Sequence, residues 1–268
     1  MQIACSSPMV PGATLTEKAE SLARWGYDAI AVFQPLDEWS DAVRRELATL
    51  ERATGVRPVE LVLTDAIYGK AMDADADLRA RCRAMYLQAA EACAELGLVT
   101  EIEFEYGAQD PLPLFTPYAR LDDEQTAEFL DFYRQMLDVV AGSDGRVLLE
   151  PLNRYESRYL NLVEHNLELV DAVDHPNAGL LPDTFHMSIE EADLPAALRL
   201  AADRIAHVHL GDSNRLLPGS GHLDWQGIFG ALRDVGYDGT VNLECSTEGD
   251  PEVSLPAAAD RIRALIGA

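Results

Sequence analysis

The feature that most constrains this chain is an eightfold alternation of short apolar runs and longer amphipathic stretches. The runs fall at 2–7, 28–33, 59–64, 98–106, 146–153, 179–183, 205–212 and 239–245. Their length and bounding turn residues predict buried strands. Between them, apolar residues recur at helical spacing over 14–25, 37–53, 77–96, 122–140, 162–173, 189–202, 224–235 and 251–266. Thr14 or Thr16 is placed to cap the first helix, and glycines close several others. Unbroken alternation calls for a parallel sheet, and right-handed crossovers let successive strands lie side by side. Eight such units in 268 residues predict an α/β fold of one kind, a single (β/α)₈ TIM barrel domain spanning 1–268. An open doubly wound sheet would show a glycine-rich phosphate turn after an early strand. Here the first turn reads Ser6-Ser7-Pro8-Met9.

Charge narrows the partners. A net charge of −25 without a basic patch repels a phosphate backbone, so no nucleic-acid partner is expected. It also disfavours an anionic membrane surface. No run of 18 apolar residues occurs, and the opening Met1-Gln2-Ile3-Ala4-Cys5 has neither a basic stretch nor a long apolar region. Neither a transmembrane helix nor a signal peptide is expected. Cys5, Cys82, Cys93 and Cys245 are far apart and form no CxxC pair. Reduced thiols in a cytoplasmic protein are the simplest reading.

In a parallel barrel the C-terminal strand ends converge on one rim, where ligands bind. The fifth run, Val147-Leu148-Leu149, leads into Glu150-Pro151-Leu152-Asn153-Arg154-Tyr155-Glu156. The sixth ends at Asp183, with His186 three residues on. The seventh carries His207 and His209, then Asp212 and Arg215, and the eighth ends at Glu244. Glu150, Asp183, His209 and Glu244 therefore stand on four consecutive strands and can converge on one cation. Three carboxylates and one imidazole suit Mn²⁺, Mg²⁺ or Co²⁺. Four such ligands leave two octahedral positions for substrate oxygens, and a metal so held is a Lewis acid for a carbonyl.

Each residue also has an ordinary structural reading. His207 and His209 share one side of their strand; the deeper His207 is read as a barrel-core residue and His209 as the ligand. Asp183 can cap the following helix, as can Thr184 or Ser188. A buried Glu244 is costly unless a metal or proton compensates it, and lysine occurs only at 18 and 70. Glu101, Glu103 and Glu105 alternate with Ile102 and Phe104. The outward side should be apolar, so the acids are expected to point into the barrel. Glu105, nearest the mouth, either touches substrate or pairs with an arginine. The long connection 107–121, with three prolines and several aromatics, reads as a lid over part of the mouth.

The segments LLEPLNRYES, LLPDTFHMSIEEAD, IAHVHLGDSNRLLPGSGHLDW and VNLEC resemble the sugar isomerase/epimerase superfamily with xylose-isomerase-like barrels. They are most similar to the ketose 3-epimerases of the D-tagatose and D-psicose type. The resemblance covers the second half of the chain in motif detail and all of it in architecture. It implies that Glu150, Asp183, His209 and Glu244 hold one divalent metal, Mn²⁺ first, with Co²⁺ or Mg²⁺ as alternatives. It implies that Glu156, His186 and Arg215 bind substrate. It further implies that Glu150 and Glu244 act as paired acid and base on a ketose or keto-sugar through a metal-stabilised ene-diolate. Relatives of this kind are often homo-oligomers. The front half departs from the pattern: 28–32 lacks a glutamate that many relatives carry, and EYGAQDPLPLFTPY is not the epimerase form. The sugar is therefore left open. The multi-zinc endonuclease IV type of the superfamily needs further histidines, and this chain has none before His165.

Two other functions compete. One is a lyase with the same metal-enolate chemistry, like the catalytic subunits of C-glycoside deglycosidases, which act on 3-keto-glycosides beside a small partner subunit. The 107–121 segment would suit a flat aglycone or that partner. The other is a non-catalytic sugar-binding module, for which paired acids at a metal have no use.

Overall fold

The computed structural model describes residues 1–116 and 118–267. Eight strands, β1 Gln2–Ser6, β2 Ala29–Pro35, β3 Arg57–Thr64, β4 Val99–Ile102, β5 Arg146–Leu149, β6 Ala178–Leu180, β7 His207–Leu210 and β8 Thr240–Leu243, form one sheet. Their order is β6-β5-β4-β3-β2-β1-β8-β7, every ladder parallel. The remaining seam, β6 against β7, closes through single bridges rather than a ladder. Ala206 N donates to Leu180 O and His209 N to Pro182 O, both at 3.0 Å, and Asp183 faces His209 across the seam. The sheet is thus a (β/α)₈ TIM barrel.

The helices are α1 Leu15–Arg24, α2 Asp41–Thr54, α3 Ala76–Leu96, α4 Asp123–Val140, α5 Val163–Val173, α6 Thr184–Glu190, α7 Leu194–Ala201, α8 Trp225–Asp234 and α9 Pro251–Ile266. Several begin where a side chain satisfies the orphan N–H groups of the first turn. Thr14 with Glu17, and Asp122 with Gln125, form reciprocal capping boxes at α1 and α4. Among the described residues no helix is long and apolar enough to cross a membrane.

The core is the layer between strands and helices. Ile3, Cys5, Ile30, Val32, Leu61 and Leu63 face outward into it and meet Leu22, Leu50, Phe129, Phe132 and Phe229. The inner face of the barrel carries little apolar filling. Ala4, Ala29 and Val59 make one small cluster there, and most of what lies above it is polar. A β-bulge explains part of this. Between Ile30 and Ala31 of β2 the register with β3 jumps from Pro58 to Glu60, so Val59 is an extra residue. Two neighbours, Val59 and Glu60, then both face inward, and Leu61 and Leu63 return to the outer layer. Bulges re-aim side chains in this way beside functional sites.

Some expected elements differ. The helix expected at 37–53 starts later, at Asp41, because Ser40 caps it and 36–38 form a 3-10 turn. The sixth unit, read as one helix over 189–202, is two. α6 begins directly at Thr184 because Asp183 caps it, and α7 restarts at Leu194 behind Asp193 and Pro195. β4 pairs only to Ile102, so Glu103 and Glu105 lie beyond the ladder. The described residues of 107–121 are tied down beside the mouth rather than across it. Gly107 N and Gln109 N donate to Glu156 O and Tyr155 O, Tyr118 Oη donates to Glu190 O, and Ala119 bridges Tyr159. They lie along the β5–α5 connection.

The β3–α3 connection is pressed against the start of that segment. Gly69 O accepts from Tyr106 N at 3.2 Å. Gly69 has φ +71°, and a Cβ there would lie 2.3 Å from Tyr106 Cβ and 2.5 Å from Tyr106 N. Gly26, at φ +83°, has nothing within 4 Å. Gly69→Ala should lower stability in urea unfolding by about 1–3 kcal/mol or more, beyond the loss from Gly26→Ala, which carries backbone strain alone.

Candidate metal centre and active site

The four strand-end residues meet. Ligand atoms of Glu150, Asp183, His209 and Glu244 all lie within 4.8 Å of one another. His209 Nδ1 is 2.7 Å from Glu244 Oε2 and 3.4 Å from Glu150 Oε1. Asp183 caps α6 and leaves its other oxygen toward the cluster. Its Oδ1 accepts from Phe185 N at 2.6 Å and His186 N at 3.2 Å, capping α6. Its Oδ2 is buried without a hydrogen-bond partner, as are Glu150 Oε1 and His209 Nδ1. Buried polar atoms are seldom left unpaired, so three such atoms close together are the donor set a cation would satisfy. Carboxylates with one imidazole fit a hard or borderline divalent metal.

The far side of His209 is held by a residue that the periodicity hid. Glu60 lies 3.1 and 3.2 Å from His209 Nε2 through its two oxygens and is fully buried. Such a carboxylate fixes the tautomer, keeping the hydrogen on Nε2 and turning Nδ1 to the cluster. Strict alternation from inward Val59 would send Glu60 out; the bulge brings it in. The signal in the sequence was a lone acid inside an apolar run. His207 sits deeper, with Nε2 3.6 Å from Glu60 Oε2. That Nε2 lacks a hydrogen-bond partner, and burial first of all pushes the ring down to about 4. His207 is therefore a neutral barrel-interior residue, as expected of it.

Burial would also lower His209, but Glu60 and Glu244 overrule it and hold its proton well above the usual histidine range. A metal at Nδ1 competes with that proton. The two glutamates are pushed apart. Burial raises Glu150 well above the usual carboxylate range, more than His209 lowers it. For Glu244 burial is outweighed by His209 and then Arg215, which hold it at about 2. One acid and one base in a shared site are what proton transfer in both directions requires.

His186 and Arg215 complete this wall. Asn153 N donates to His186 Nδ1 at 3.1 Å, and the Arg215 guanidinium, which can only donate, lies 2.9 Å from His186 Nε2 through Nη1. Burial, then Arg215, pushes His186 down to about 3. Arg215 donates to Glu244 Oε1 at 3.4 Å and holds φ +58°. Its loop hangs from Asp212, which accepts from Trp225 Nε1 at 2.9 Å and Gly219 N at 2.7 Å. Glu156 is half-buried and reaches the site through Asn153, whose Nδ2 donates to its Oε1 at 2.9 Å.

A cavity of about 290 Å³ opens over the cluster, lined by Glu150, His186, Arg215 and Glu244 on one side and by Phe33, Tyr68 and Tyr106 elsewhere. A second, of about 220 Å³, adjoins it past Phe33, Arg215 and Glu244 toward Ser6 and Met9. None of the described residues of 107–121 lines either cavity; Pro117, within that segment, lies outside the described residues.

Glu101 and Glu103 do point inward, and both line the first cavity. Tyr68 Oη lies 2.7 Å from Glu101 Oε1 and 2.6 Å from Glu103 Oε1, and Tyr86 Oη donates to Glu103 Oε2 at 2.9 Å. Burial, opposed by those tyrosines, leaves Glu103 at about 7. Burial, then Glu150 and Glu60, raises Glu101 well above the carboxylate range. Glu105 does not reach the cavity. Arg158 takes both its oxygens, at 3.1 Å through Nε and 2.9 Å through Nη2.

The sequence profile of the xylose isomerase-like TIM barrel matches residues 19–265. The chain belongs to that family. Its relatives there are named as sugar epimerases. It is 31% identical over 230 residues to the D-psicose 3-epimerase of Agrobacterium fabrum, covering 84% of this chain and 77% of that one. With the D-psicose 3-epimerase of Enterocloster bolteae it is 45% identical over 107 residues, 40% of this chain and 34% of the relative. The solved 3-keto-D-glucoside 4-epimerase of E. coli superposes with a TM-score of 0.82 at 26% identity, over 100% of both chains. The family kinship implied by the four motifs is thus correct.

Replacing Glu60 by Gln frees His209 to rotate while leaving the four candidate ligands in place. Glu60→Gln should weaken Mn²⁺ binding about 10- to 100-fold, as orienting partners of ligand histidines do. Competition with a fluorescent chelator measures it, and unchanged affinity would remove Glu60 from the site.

Proposed function

We propose that this chain is a divalent-metal-dependent epimerase of a free ketose or keto-sugar, acting at the carbon beside the carbonyl within one barrel domain, 1–268. Glu150, Asp183, His209 and Glu244 would hold the cation, Mn²⁺ first, with Co²⁺ or Mg²⁺ as alternatives. When bound, the cation supplies Lewis-acid polarisation of the carbonyl and its neighbouring hydroxyl.

The observation that carries the reading is the pairing of Glu150 and Glu244. They enter one cavity from β5 and β8, on either side of His209 Nδ1. One carboxylate removes the proton from the carbon, and the C–H electron pair passes toward the carbonyl oxygen. The other carboxyl delivers a proton to the opposite face of the planar intermediate. Each turnover leaves the pair with protonation states exchanged, so either epimer can enter. His186 and the Arg215 guanidinium line the cavity where a substrate oxygen would be held as its charge grows. Glu156, steadied by Asn153, would bind a hydroxyl.

The substrate class follows from charge. Asp65, Glu101, Glu103, Glu150 and Glu244 line the cavity against Arg215 alone. A phosphate or carboxylate on the sugar would find among the described lining residues only Arg215 as a cationic side chain, and that one already faces Glu244, so we read the substrate as neutral.

A lyase acting on a 3-keto-glycoside is the second reading. Leu112, Leu114 and Phe115, 58%, 60% and 97% exposed, offer an apolar surface along the β5–α5 connection for a small partner subunit. A copurifying small chain, with aglycone release, would favour it over the homo-oligomeric epimerase. Cytoplasmic carbohydrate metabolism is the setting that suits either.

NMR of a ketohexose panel with the Mn²⁺-loaded protein in D₂O tests the first reading. Deuterium should enter C3 as a new epimer forms, and EDTA should stop it. Glu150→Gln and Glu244→Gln should each cut turnover by about 10²- to 10⁴-fold, and ketose 6-phosphates should react poorly. Unchanged C3 exchange in Glu244→Gln would sink the acid–base pairing.

A further inference from the structure

Among the residues lining the main cavity, two carry a buried oxygen with no protein partner: Glu150 Oε1 and Glu101 Oε2. The first belongs to the candidate metal cluster. The second is left over. Glu101 is 4% exposed, and an acceptor that deep is costly to leave unpaired. Its Oε1 is held at 2.7 Å by Tyr68 Oη, a single hydroxyl that bridges Glu101 Oε1 and Glu103 Oε1. Tyr68 is itself wedged between Tyr86 and Tyr106, each with ring centroids 5.5 Å away. Glu103, by contrast, has Oε1 and Oε2 both taken by tyrosine hydroxyls and has nothing to offer a ligand.

We propose that Glu101 is a substrate-binding residue whose free Oε2 takes a hydroxyl of the sugar from the β4 side of the cavity, opposite the His186–Arg215 wall. The chemistry around it fits that ligand. Phe33, Tyr68 and Tyr106 present rings to the same cavity, and a sugar buries its C–H faces on aromatic surface while its hydroxyls seek polar atoms at the edges. A buried acceptor of this kind discriminates sharply, since an analogue without the hydroxyl leaves it unpaired. Glu101 is thereby a specificity-determining residue for which hydroxyl, and which configuration, the enzyme accepts. The inference rests on the sugar-epimerase reading for its substrate.

Two measurements on the Mn²⁺-loaded protein test it. The first compares kcat/KM on the preferred ketose with its singly deoxygenated analogues in wild type, Glu101→Gln and Glu101→Leu. Glu101→Leu should lose about 10- to 100-fold on the parent sugar. One deoxy analogue, poor with wild type, should lose nothing further. Equal losses on every analogue, or none on any, would overturn the assignment.

The second measurement is calorimetric titration with hexitols, which lack the carbonyl and cannot be epimerised. Their affinity should fall by a similar factor in Glu101→Leu; an unchanged affinity, or no binding by wild type, would also overturn it. Failure of wild type on every ketose would end the epimerase reading, while the hexitol titration still decides Glu101. Tyr68→Phe releases the Oε1 clamp and keeps the ring, so it replaces Glu101→Leu in both arms should that variant not fold; its loss should fall on the same analogue pattern.

Discussion

The site depends on one imidazole held from both ends. His209 gives Nε2 to Glu60 on β3 and Nδ1 to Glu150 and Glu244 on β5 and β8. Three carboxylates from three other strands therefore converge on one ring inside the barrel. In water such contacts would be worth little. Here His209 and Glu60 are fully buried, and desolvation makes an unpaired charge more expensive than a paired one. The arrangement is stable only if positive charge, on a proton or a cation, sits among the acids. The apolar layer that stabilises the fold lies outside the strands, and the interior is given over to this polar network.

The same ring lies on the weakest seam of the barrel. β6 and β7 share no regular ladder, and Asp183 and His209 face each other across the gap. Asp183 also caps α6 through Oδ1. A cation held by Asp183 Oδ2 and His209 Nδ1 would tie the two edge strands where backbone hydrogen bonds are fewest. Binding and barrel closure are then coupled, because anything that binds only the closed form stabilises it.

Much of this was legible before any coordinates. The alternation gave the barrel, because period and length distinguish buried strands from helices whatever the loops do. The rim residues were legible because strand ends in a parallel barrel must share one face. What failed did so for local reasons. Glu60 was hidden because a bulge breaks the period of two, and nothing in RPVELVLT marks Val59 as the extra residue. The sixth helix was misplaced because Asp183 is both cap and candidate ligand, so the helix begins inside what read as a site loop. Glu105 is ambiguous in the sequence because its partner, Arg158, lies 53 residues away, a distance over which pattern carries no information.

The front half of the chain, where the motifs are weakest, is where the structure adds most. β3, β4 and the β3–α3 connection bring Glu60 behind His209 and Tyr68, Glu101 and Glu103 to the cavity. The back half brings Glu150, Asp183, His186, His209, Arg215 and Glu244. Under the proposed function the back half would polarise a carbonyl and move a proton, which any sugar of the right oxidation state would allow. Under that reading Glu156, held by Asn153, would take one hydroxyl from this side. The rest of the sugar would fall to the front wall, with its aromatic rings and one clamped acid. A barrel separates these tasks easily, because each strand end can change without disturbing its neighbours' ladders. Under the proposed function most of the chemistry would fall to the back half and much of the selection to the β3–β4 side, with Glu60 and Glu156 linking the two.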